Sequence, residues 1–456
     1  GDSVRIDFGR HLVGHLKLKL GYTDSHPDAP VWLKFSFAEN LKEFDEDVEN
    51  YNGWICSAWV QQEQVHVDVV PGDYELPRRY SFRYVKIDVL DISSKFNLVI
   101  EEACATALSS ADESRLLPYS NSDKELVKID RIACNTLHDC MQKVFEDGPK
   151  RDRRLWMGDL RLQALANYET YQMNDMVKGC LYLFGALPME NGQVGACVFL
   201  DPEPEVDDTS MFDYSLLYVV ALWDYYKQTK DKEALRDLWE TARTQISLAQ
   251  KRVDNGIVRD RDVLGWCFLD WSLELNKQAG AQGVLLYAMQ SAIAIAKEVG
   301  KNREAECLFE TYELYRKAAR LKFYDENKGL FTSGADKQVS YASQVWMVLG
   351  NVIEPEMGLE VLHNVAAEKD AVEMVTPYIY HYYIEALLKC GAKDEALAVM
   401  KNYWGGMAEL GADTFWELYN PKNPDESPYG GTIVNSYCHA WSCAPAYFLR
   451  RYYSEK

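Results

Sequence analysis

The stretch from Ser109 to Met141 reads SSADESRLLPYSNSDKELVKIDRIACNTLHDCM, and the hydrophobic period of the chain changes inside it. Polar residues dominate its first part, and from Ser122 onward apolar residues recur three and four positions apart. This spacing places the apolar side chains on one face of a helix. The set comprises Leu126, Ile129, Ile132, Ala133 and Leu137. The change predicts two domains, one over residues 1–108 and another over residues 109–456.

Residues 4–108 alternate polar and apolar side chains with period two. The alternation is clearest over residues 15–20, 31–37 and 84–89, and turn residues such as Pro71-Gly72-Asp73 separate the runs. Alternation buries one face of each strand and leaves the other in water. Short strands between tight turns are typical of an antiparallel β-sandwich, which we predict for this domain.

The second domain has the pattern of consecutive helices separated by breakers. Predicted helices cover residues 214–229, 232–249, 281–299, 303–323, 340–349, 377–390 and 393–404. The length from residue 118 onward accommodates about twelve helices at roughly 28 residues per helix and loop. Two helix starts look alike, KDKEAL at residues 230–235 and AKDEAL at residues 392–397, which indicates a repeated hairpin unit. We therefore predict an (α/α)6 barrel, a closed ring of six helical hairpins.

The charge balance narrows the classes of partner. The chain carries 70 acidic and 49 basic side chains, a formal net charge of −21. Nucleic acids and anionic lipids are bound through Lys and Arg, so we expect neither as a partner. No apolar run approaches the ~18 residues of a membrane span, so we expect no membrane insertion. The cysteines lack a paired metal-ligand spacing, so we expect mostly buried thiols, no metal and no cofactor. No signal peptide is visible at residue 1, which leaves the compartment, cytoplasmic or periplasmic, and the oligomeric state open.

Aromatic and acidic residues concentrate in four places, a pattern typical of a carbohydrate site. Aromatic faces stack on the C–H faces of a sugar ring, and carboxylates bind its hydroxyls and transfer protons. The densest place is residues 147–159, DGPKRDRRLWMGD. Charges this dense need pairing when they are buried, so we interpret the segment as a catalytic rim, the alternative being arginines that only tie loops together. The other places are residues 201–208, 266–271 and 411–417.

The segment Asp147-Gly148-Pro149-Lys150-Arg151-Asp152, followed by Trp156-Met157-Gly158-Asp159, resembles the signature of the α-L-rhamnosidases of glycoside hydrolase family 78. Gly411-Ala412-Asp413-Thr414-Phe415-Trp416-Glu417 is similar to a second mark of that family, and residues 435–440 resemble the element that follows it. The resemblance runs from about residue 4 to about residue 450. It implies a β domain before an (α/α)6 barrel, and an inverting glycosidase that releases terminal α-L-rhamnose.

The resemblance also implies roles for individual residues. In the family one carboxylic acid protonates the glycosidic oxygen while a carboxylate activates water on the opposite face of the sugar. Glu417 would be the general base. The acid falls on Asp152 in the shorter register of the signature, which we prefer, and at Arg153 in the longer one, while an acid on the loop 203–208 is a further alternative. The residues expected to bind the sugar are Asp147, Arg151, Trp156, Asp159, Asp207, Asp208, Trp266, Asp270, Trp271, Trp416 and His439.

Other functions stay open from the sequence alone. The same scaffold with an altered or lost acid would be a non-catalytic carbohydrate-binding protein. Arg153 and Arg154 could bind the carboxylate of a uronic acid, in a hydrolase that acts on an acidic sugar, and His439 or Tyr437 could be the base of a uronide elimination. The leading prediction is a glycosidase whose partner is a carbohydrate, acting on α-L-rhamnosyl groups of oligosaccharides, polysaccharides or glycosides.

Overall fold

The computed structural model describes residues 2–260 and 266–455. Its first part is an all-antiparallel arrangement of strands. In chain order these are β1 (Ser3–Asp24), β2 (Val31–Ala38), β3 (Gln62–Val67), β4 (Gly72–Glu75), β5 (Tyr80–Asp91) and β6 (Phe96–Ala107).

Strand β1 is long enough to take part in both layers of this β domain. Residues 3–14 pair with β5, residues 14–24 pair with β6, and residues 17–20 also pair with β4. Strand β2 extends the first layer between β5 and β3. The two layers pack face to face, since the ring of Phe35 on β2 stacks on that of Tyr74 on β4 at 6.4 Å. The predicted antiparallel sandwich is confirmed.

The second part is helical. In chain order its helices are α1 (Lys124–Cys140), α2 (Met157–Glu169), α3 (Asn174–Ala186), α4 (Phe212–Thr229), α5 (Lys232–Asp237), α6 (Trp239–Gln250), α7 (Gln278–Glu298), α8 (Asn302–Phe323), α9 (Tyr341–Leu349), α10 (Pro355–Ala367), α11 (Pro377–Lys389), α12 (Lys393–Glu409) and α13 (Ala444–Tyr452). The helix predicted over residues 232–249 is two helices, because Leu238, at φ −94° and ψ 0°, departs from helical geometry.

The helices form two concentric rings. Helices α2, α4, α7, α9, α11 and α13 form the inner ring, and most of their residues are buried. Helices α2, α4, α7, α9 and α11 pack on one another in this order, and α13 packs on α2. The turn Ala440–Ser442 fills the space between α11 and α2. Helices α1, α3, α6, α8, α10 and α12 lie outside. The predicted (α/α)6 barrel is confirmed.

Helix α7 is the one described helix long and apolar enough to cross a membrane by length and composition. Its most apolar window is 83% buried inside the barrel, as in the core helix of a soluble protein. The helix therefore gives only weak evidence for a membrane span.

The β domain and the barrel meet around two barrel loops. Glu39, at the end of the first β layer, accepts a hydrogen bond from the backbone N–H of Tyr437 at 2.7 Å. Glu43 accepts one from Nζ of Lys150 at 2.5 Å, and both side chains are almost fully buried. Strand β6 ends at Ala107 and α1 begins at Lys124, so the predicted division after residue 108 lies in the connecting segment and stays a prediction.

Candidate active site

A cavity of about 380 Å³ opens at the end of the barrel where helices α2 and α4 begin. Loops from both domains surround it. Its lining residues are Trp54, Ile55, Trp59, Asp147, Arg151, Asp152, Arg154, Trp156, Asp159, Asp207, Thr209, Met211, Tyr214, Trp266, Phe268, Trp271, Glu417, Tyr429, His439 and Trp441. Aromatic rings and carboxylates therefore line the same cavity.

Asp147 organises the loop that precedes α2. Its two carboxylate oxygens accept hydrogen bonds from the backbone N–H groups of Asp152 and Arg154, each at 3.1 Å. A Cβ at Gly148 would lie 2.5 Å from the carbonyl oxygen of Arg151, so this tight loop requires glycine there. Burial, and then the charge of Asp152, raises the pKa of Asp147 to about 8.

Glu417 lies on the loop after α12 and is buried. Its Oε2 accepts a hydrogen bond from Nη2 of Arg151 at 2.5 Å, and its Oε1 accepts one from the hydroxyl of Tyr429. Burial acts to raise the pKa of Glu417, but the charges of Arg151 and His439 and these hydrogen bonds outweigh it and lower the pKa. The Glu417 carboxylate is therefore ionised at neutral pH.

Arg151 connects Glu417 to Asp152. Its Nη1 lies 3.9 Å from Oδ1 of Asp152, while its Nη2 binds Glu417. The two terminal nitrogens of a guanidinium are about 2.3 Å apart, so these two carboxylate oxygens are at most about 9 Å apart. The guanidinium is held in place by a hydrogen bond from Nε to the carbonyl oxygen of Val434 and by the ring of Tyr429, 4.0 Å away.

His439 and Asp159 lie together in the wall of the cavity. Nε2 of His439 is 3.1 Å from Oδ1 of Asp159, an ion-pair distance. Burial acts to lower the pKa of His439, and the nearby carboxylates raise it above its usual value. Nδ1 of His439 and the indole N–H groups of Trp156 and Trp271 are buried without a hydrogen-bond partner among the described residues. Such groups are available to a polar ligand.

The structure brings together most of the residues that the sequence suggested. Those lining the cavity are Asp147, Arg151, Asp152, Trp156, Asp159, Asp207, Trp266, Trp271, Glu417 and His439. The carboxyl group of Asp207 is partly buried against the thiol of Cys197 at 3.3 Å, and burial raises its pKa.

The structure places three of the suggested residues outside the cavity lining. Asp208 is exposed and accepts a hydrogen bond from the hydroxyl of Thr209. Asp270 is buried and accepts hydrogen bonds from the backbone of residues 375–376 and the hydroxyl of Thr376, so it fixes a loop. Trp416 packs edge-on against tyrosine rings in the core. Asp270 and Trp416 therefore lie outside the cavity that their neighbours Trp271 and Glu417 line.

Arg153 does not have the position that an acidic-sugar site needs. Its guanidinium donates to the backbone carbonyl oxygens of Pro149, Lys150 and Arg79. Burial lowers its pKa to about 10. Arg153 therefore ties loops together, while Arg154 lines the cavity above the ring of Phe199.

Sequence reasoning missed several lining residues, and three aromatic ones among them lie in irregular loops. Trp54 and Trp59 come from a β-domain loop of short 3-10 turns, where no hydrophobic period points to them. Tyr429 lies in the segment NPDESPYGG, whose turn residues predict only a loop. The one available signal was chemical, because aromatic residues in irregular loop segments often belong to binding sites.

One cluster outside the cavity has the composition of a metal site. His11, Asp139 and Cys438 are buried together within the described part of the chain. Both ring nitrogens of His11 already have partners, because Nδ1 lies 2.7 Å from Asp139 and Nε2 lies 3.1 Å from Glu39. The cluster fits a hydrogen-bonded histidine that joins the two domains better than it fits a metal centre.

Comparisons with known proteins agree with this geometry. The family model described as glycosyl hydrolase family 78 alpha-rhamnosidase N-terminal domain matches residues 1–107, and the bacterial alpha-L-rhamnosidase 6 hairpin glycosidase domain matches residues 118–453. No curated protein matches the chain.

Solved structures give closer comparisons. A rhamnosidase from Klebsiella oxytoca with rhamnose bound is 48% identical, with a TM-score of 0.96 over 99% of this chain and 88% of that one. Two others show a similar fold over 98% of this chain. The family 78 rhamnosidase of Bacillus sp. GL1 is 22% identical with a TM-score of 0.81 over 46% of its chain. The α-L-rhamnosidase of Streptomyces avermitilis complexed with L-rhamnose is 17% identical with a TM-score of 0.69 over 42% of its chain. The chain described here belongs to glycoside hydrolase family 78, the α-L-rhamnosidases, and is a six-hairpin glycosidase.

Proposed function

We propose that this protein hydrolyses terminal α-L-rhamnosyl linkages with inversion, using Glu417 as general base and Asp152 as general acid. The 48%-identical Klebsiella oxytoca protein is a rhamnosidase described with rhamnose bound, which supports rhamnose as the sugar. A non-catalytic binding protein and a uronide hydrolase are not favoured by the family match or by the position of Arg153.

Glu417 has the environment that a general base needs. It is buried, and its lowered pKa keeps it ionised. Arg151 and Tyr429 hold its two oxygens, which fixes the direction of the remaining lone pairs. A carboxylate oriented in this way can take a proton from a water molecule that attacks the anomeric carbon.

The proposed general acid, Asp152, is best described together with the neighbouring carboxyl group of Asp147. The N–H of Asp152 binds the carboxylate of Asp147, and the Asp152 charge contributes to raising the pKa of Asp147 to about 8. With a pKa of about 8, the Asp147 carboxyl group keeps its proton at neutral pH. Asp152 is the partly exposed member of the pair, with 22% of its side chain accessible, so it is the carboxyl group placed to reach the glycosidic oxygen.

The observation that carries the proposal is the position of Asp152 and Glu417 on two nitrogens of the same Arg151 guanidinium. The two oxygens bound to the guanidinium are at most about 9 Å apart, a limit compatible with the roughly 6.5–9.5 Å by which inverting glycosidases separate their carboxyl groups, and the family match supports inversion. The arrangement also suits a neutral sugar, because the unpartnered N–H groups of Trp156 and Trp271 and Nδ1 of His439 can bind hydroxyls.

Two substitutions test the roles separately. Asp152→Asn removes the acid, so it should slow a rhamnoside with a poor leaving group by roughly 10²–10⁴-fold and spare one with a highly activated aryl leaving group. Glu417→Gln removes the base and should slow both substrates. Asp208→Asn is the matched control, because Asp208 is exposed outside the cavity.

NMR of the first product formed establishes the stereochemistry, and β-L-rhamnose from an α-rhamnoside is the expected result. A retained configuration, or equal losses on both substrates with Asp152→Asn, would contradict the proposed roles. If Asp207→Asn instead shows the leaving-group dependence, the acid lies on the loop 203–208. We also propose that neither nucleic acid nor a membrane is a partner, since the formal charge is −21.

A further inference from the structure

We propose that Trp54 of the β domain forms a subsite for a second ring of the substrate, the ring attached through the oxygen of the bond that is cleaved. This inference rests on the proposed function. The inference extends the proposed function by assigning a binding role to a residue outside the barrel.

Trp54 lines the cavity, yet it is 66% exposed. Covering the exposed indole with an apolar ligand face would be favourable, because it removes apolar surface from water. Its exposure places Trp54 at the mouth of the cavity, whereas Glu417 and His439 are buried in the cavity wall. A terminal sugar that reaches those buried groups leaves the rest of its substrate in the mouth, beside Trp54.

The indole of Trp54 is fixed in position. Its Nε1–H donates to the carbonyl oxygen of Pro428 at 2.7 Å, and its ring lies 5.3 Å from the ring of Tyr429. Tyr429 in turn binds Glu417, so the exposed ring is connected to the base through one residue. A ring held in this way loses little conformational entropy when a ligand stacks on it.

The loop that carries Trp54 docks closely on the barrel. A Cβ at Gly53 would lie 1.9 Å from the carbonyl oxygen of Tyr429, and one at Gly430 would lie 2.9 Å from Cα of Gly53. Gly430 also has φ +86°, which favours glycine. This fit between the two domains shows that the position of Trp54 is built into the fold.

The chemistry of the subsite follows from the indole face. It accepts a flat group with an apolar face, either a pyranose through its C–H bonds or a planar aromatic ring through offset stacking. The subsite is therefore expected to distinguish substrates by whether a ring follows the scissile oxygen. A methyl group at that position is too small to cover the indole.

Steady-state kinetics on three α-L-rhamnosides tests this. The substrates are methyl α-L-rhamnoside, a rhamnosyl-glucose disaccharide and 4-nitrophenyl α-L-rhamnoside. Trp54→Ala should lower kcat/KM by roughly tenfold on the ring-bearing substrates, mainly through KM, and leave methyl rhamnoside unchanged. Inhibition by free L-rhamnose should also be unchanged, and Trp54→Phe should restore most of the loss. Trp32→Ala is the matched control, since Trp32 is a 37% exposed β-domain tryptophan that stacks on His66 away from the cavity.

The outcomes are distinct. A loss of kcat/KM confined to the disaccharide supports a subsite for a sugar ring. A loss of kcat/KM confined to the aryl substrate supports a subsite for an aromatic ring. Equal losses on all three substrates, a weakened inhibition by L-rhamnose, or no loss at all would overturn it. Wild-type protein that cleaves none of the three would reject the proposed function itself, and this inference with it.

Discussion

The substitution Tyr429→Phe isolates one hydrogen bond to the proposed base. The Tyr429 hydroxyl donates to Oε1 of Glu417, and phenylalanine would keep the ring that lies over Arg151 and beside Trp54. Tyr429 is 3% exposed, and burial raises the pKa of its hydroxyl, so the native side chain stays a donor throughout the working pH range. The variant therefore removes stabilisation from the ionised form of Glu417 and little else.

The size of the effect follows from the strength of the bond. A hydrogen bond to a charged group contributes about 1.5–3 kcal/mol, and one pKa unit corresponds to about 1.4 kcal/mol. The pKa of Glu417, now lowered, should rise by about one to two units. Arg151 stays bound to the other oxygen, so the lower end of that range is expected. Because the base must be ionised, activity on the acidic side falls and the acidic limb moves to higher pH.

The assay is kcat/KM for 4-nitrophenyl α-L-rhamnoside as a function of pH, because its acidic limb reports the base in the free enzyme. The matched control is Tyr403→Phe. The Tyr403 hydroxyl donates to the carbonyl oxygen of Tyr419 at 3.0 Å, away from the cavity lining. This change removes a buried hydrogen bond without touching Glu417. An unshifted acidic limb in Tyr429→Phe, or an equal shift in both variants, refutes the reasoning.

Three further outcomes are expected. Asp147→Asn removes the carboxyl group whose pKa burial raises to about 8, so the basic limb of the same pH profile, expected near 8, should no longer lie there. Arg161→Ala removes the buried cation that pairs with the carboxylates of Asp224 and Glu385 and should lower the free energy of unfolding by about 3–5 kcal/mol in urea titrations. Gly53→Ala forces the β-domain loop off the barrel and should cost about 1–3 kcal/mol by the same measurement, with a selective loss on ring-bearing rhamnosides.

Regular periods made the fold predictable from the sequence. Leu16, Leu18 and Leu20 are buried on one face of β1, while Lys17 and Lys19 are exposed on the other. The predicted alternation therefore corresponds to a physical division between core and water. The inner and outer helices follow in the same way from apolar spacing. The break at residue 238 escaped the pattern, and helices α3, α10 and α13 were not among the predicted ranges.

The site was less predictable, because its geometry depends on contacts between distant segments. Arg151 and Glu417 are 266 positions apart, and only the folded barrel puts them in contact. The dense charge of residues 147–159 pointed to Arg151, and the resemblance of residues 411–417 to a family motif pointed to Glu417. Neither could show which of two adjacent residues faces the cavity, as Asp270 and Trp271 demonstrate. Side-chain direction in loops is set by tertiary hydrogen bonds, which carry no sequence period.

The contribution of the β domain explains why the catalytic loops can hold so many buried charges. Lys150 and Arg151 are neighbours on a buried loop, and burial of two adjacent cations is costly without partners. Glu43 of the β domain binds the first, and Glu417 of the barrel binds the second.

Two further β-domain side chains, Arg79 and Glu39, act on the loops that line the cavity. Arg79 forms two 2.9 Å hydrogen bonds with Glu146, the residue before Asp147. The carboxylate of Glu39 holds the backbone of Tyr437, two residues before His439. The barrel therefore supplies the proposed acid and base, while the β domain neutralises and orients the loops that carry them. Loss of these contacts should disorder the cavity before it unfolds the barrel, because each one ends on a loop and none on an inner helix.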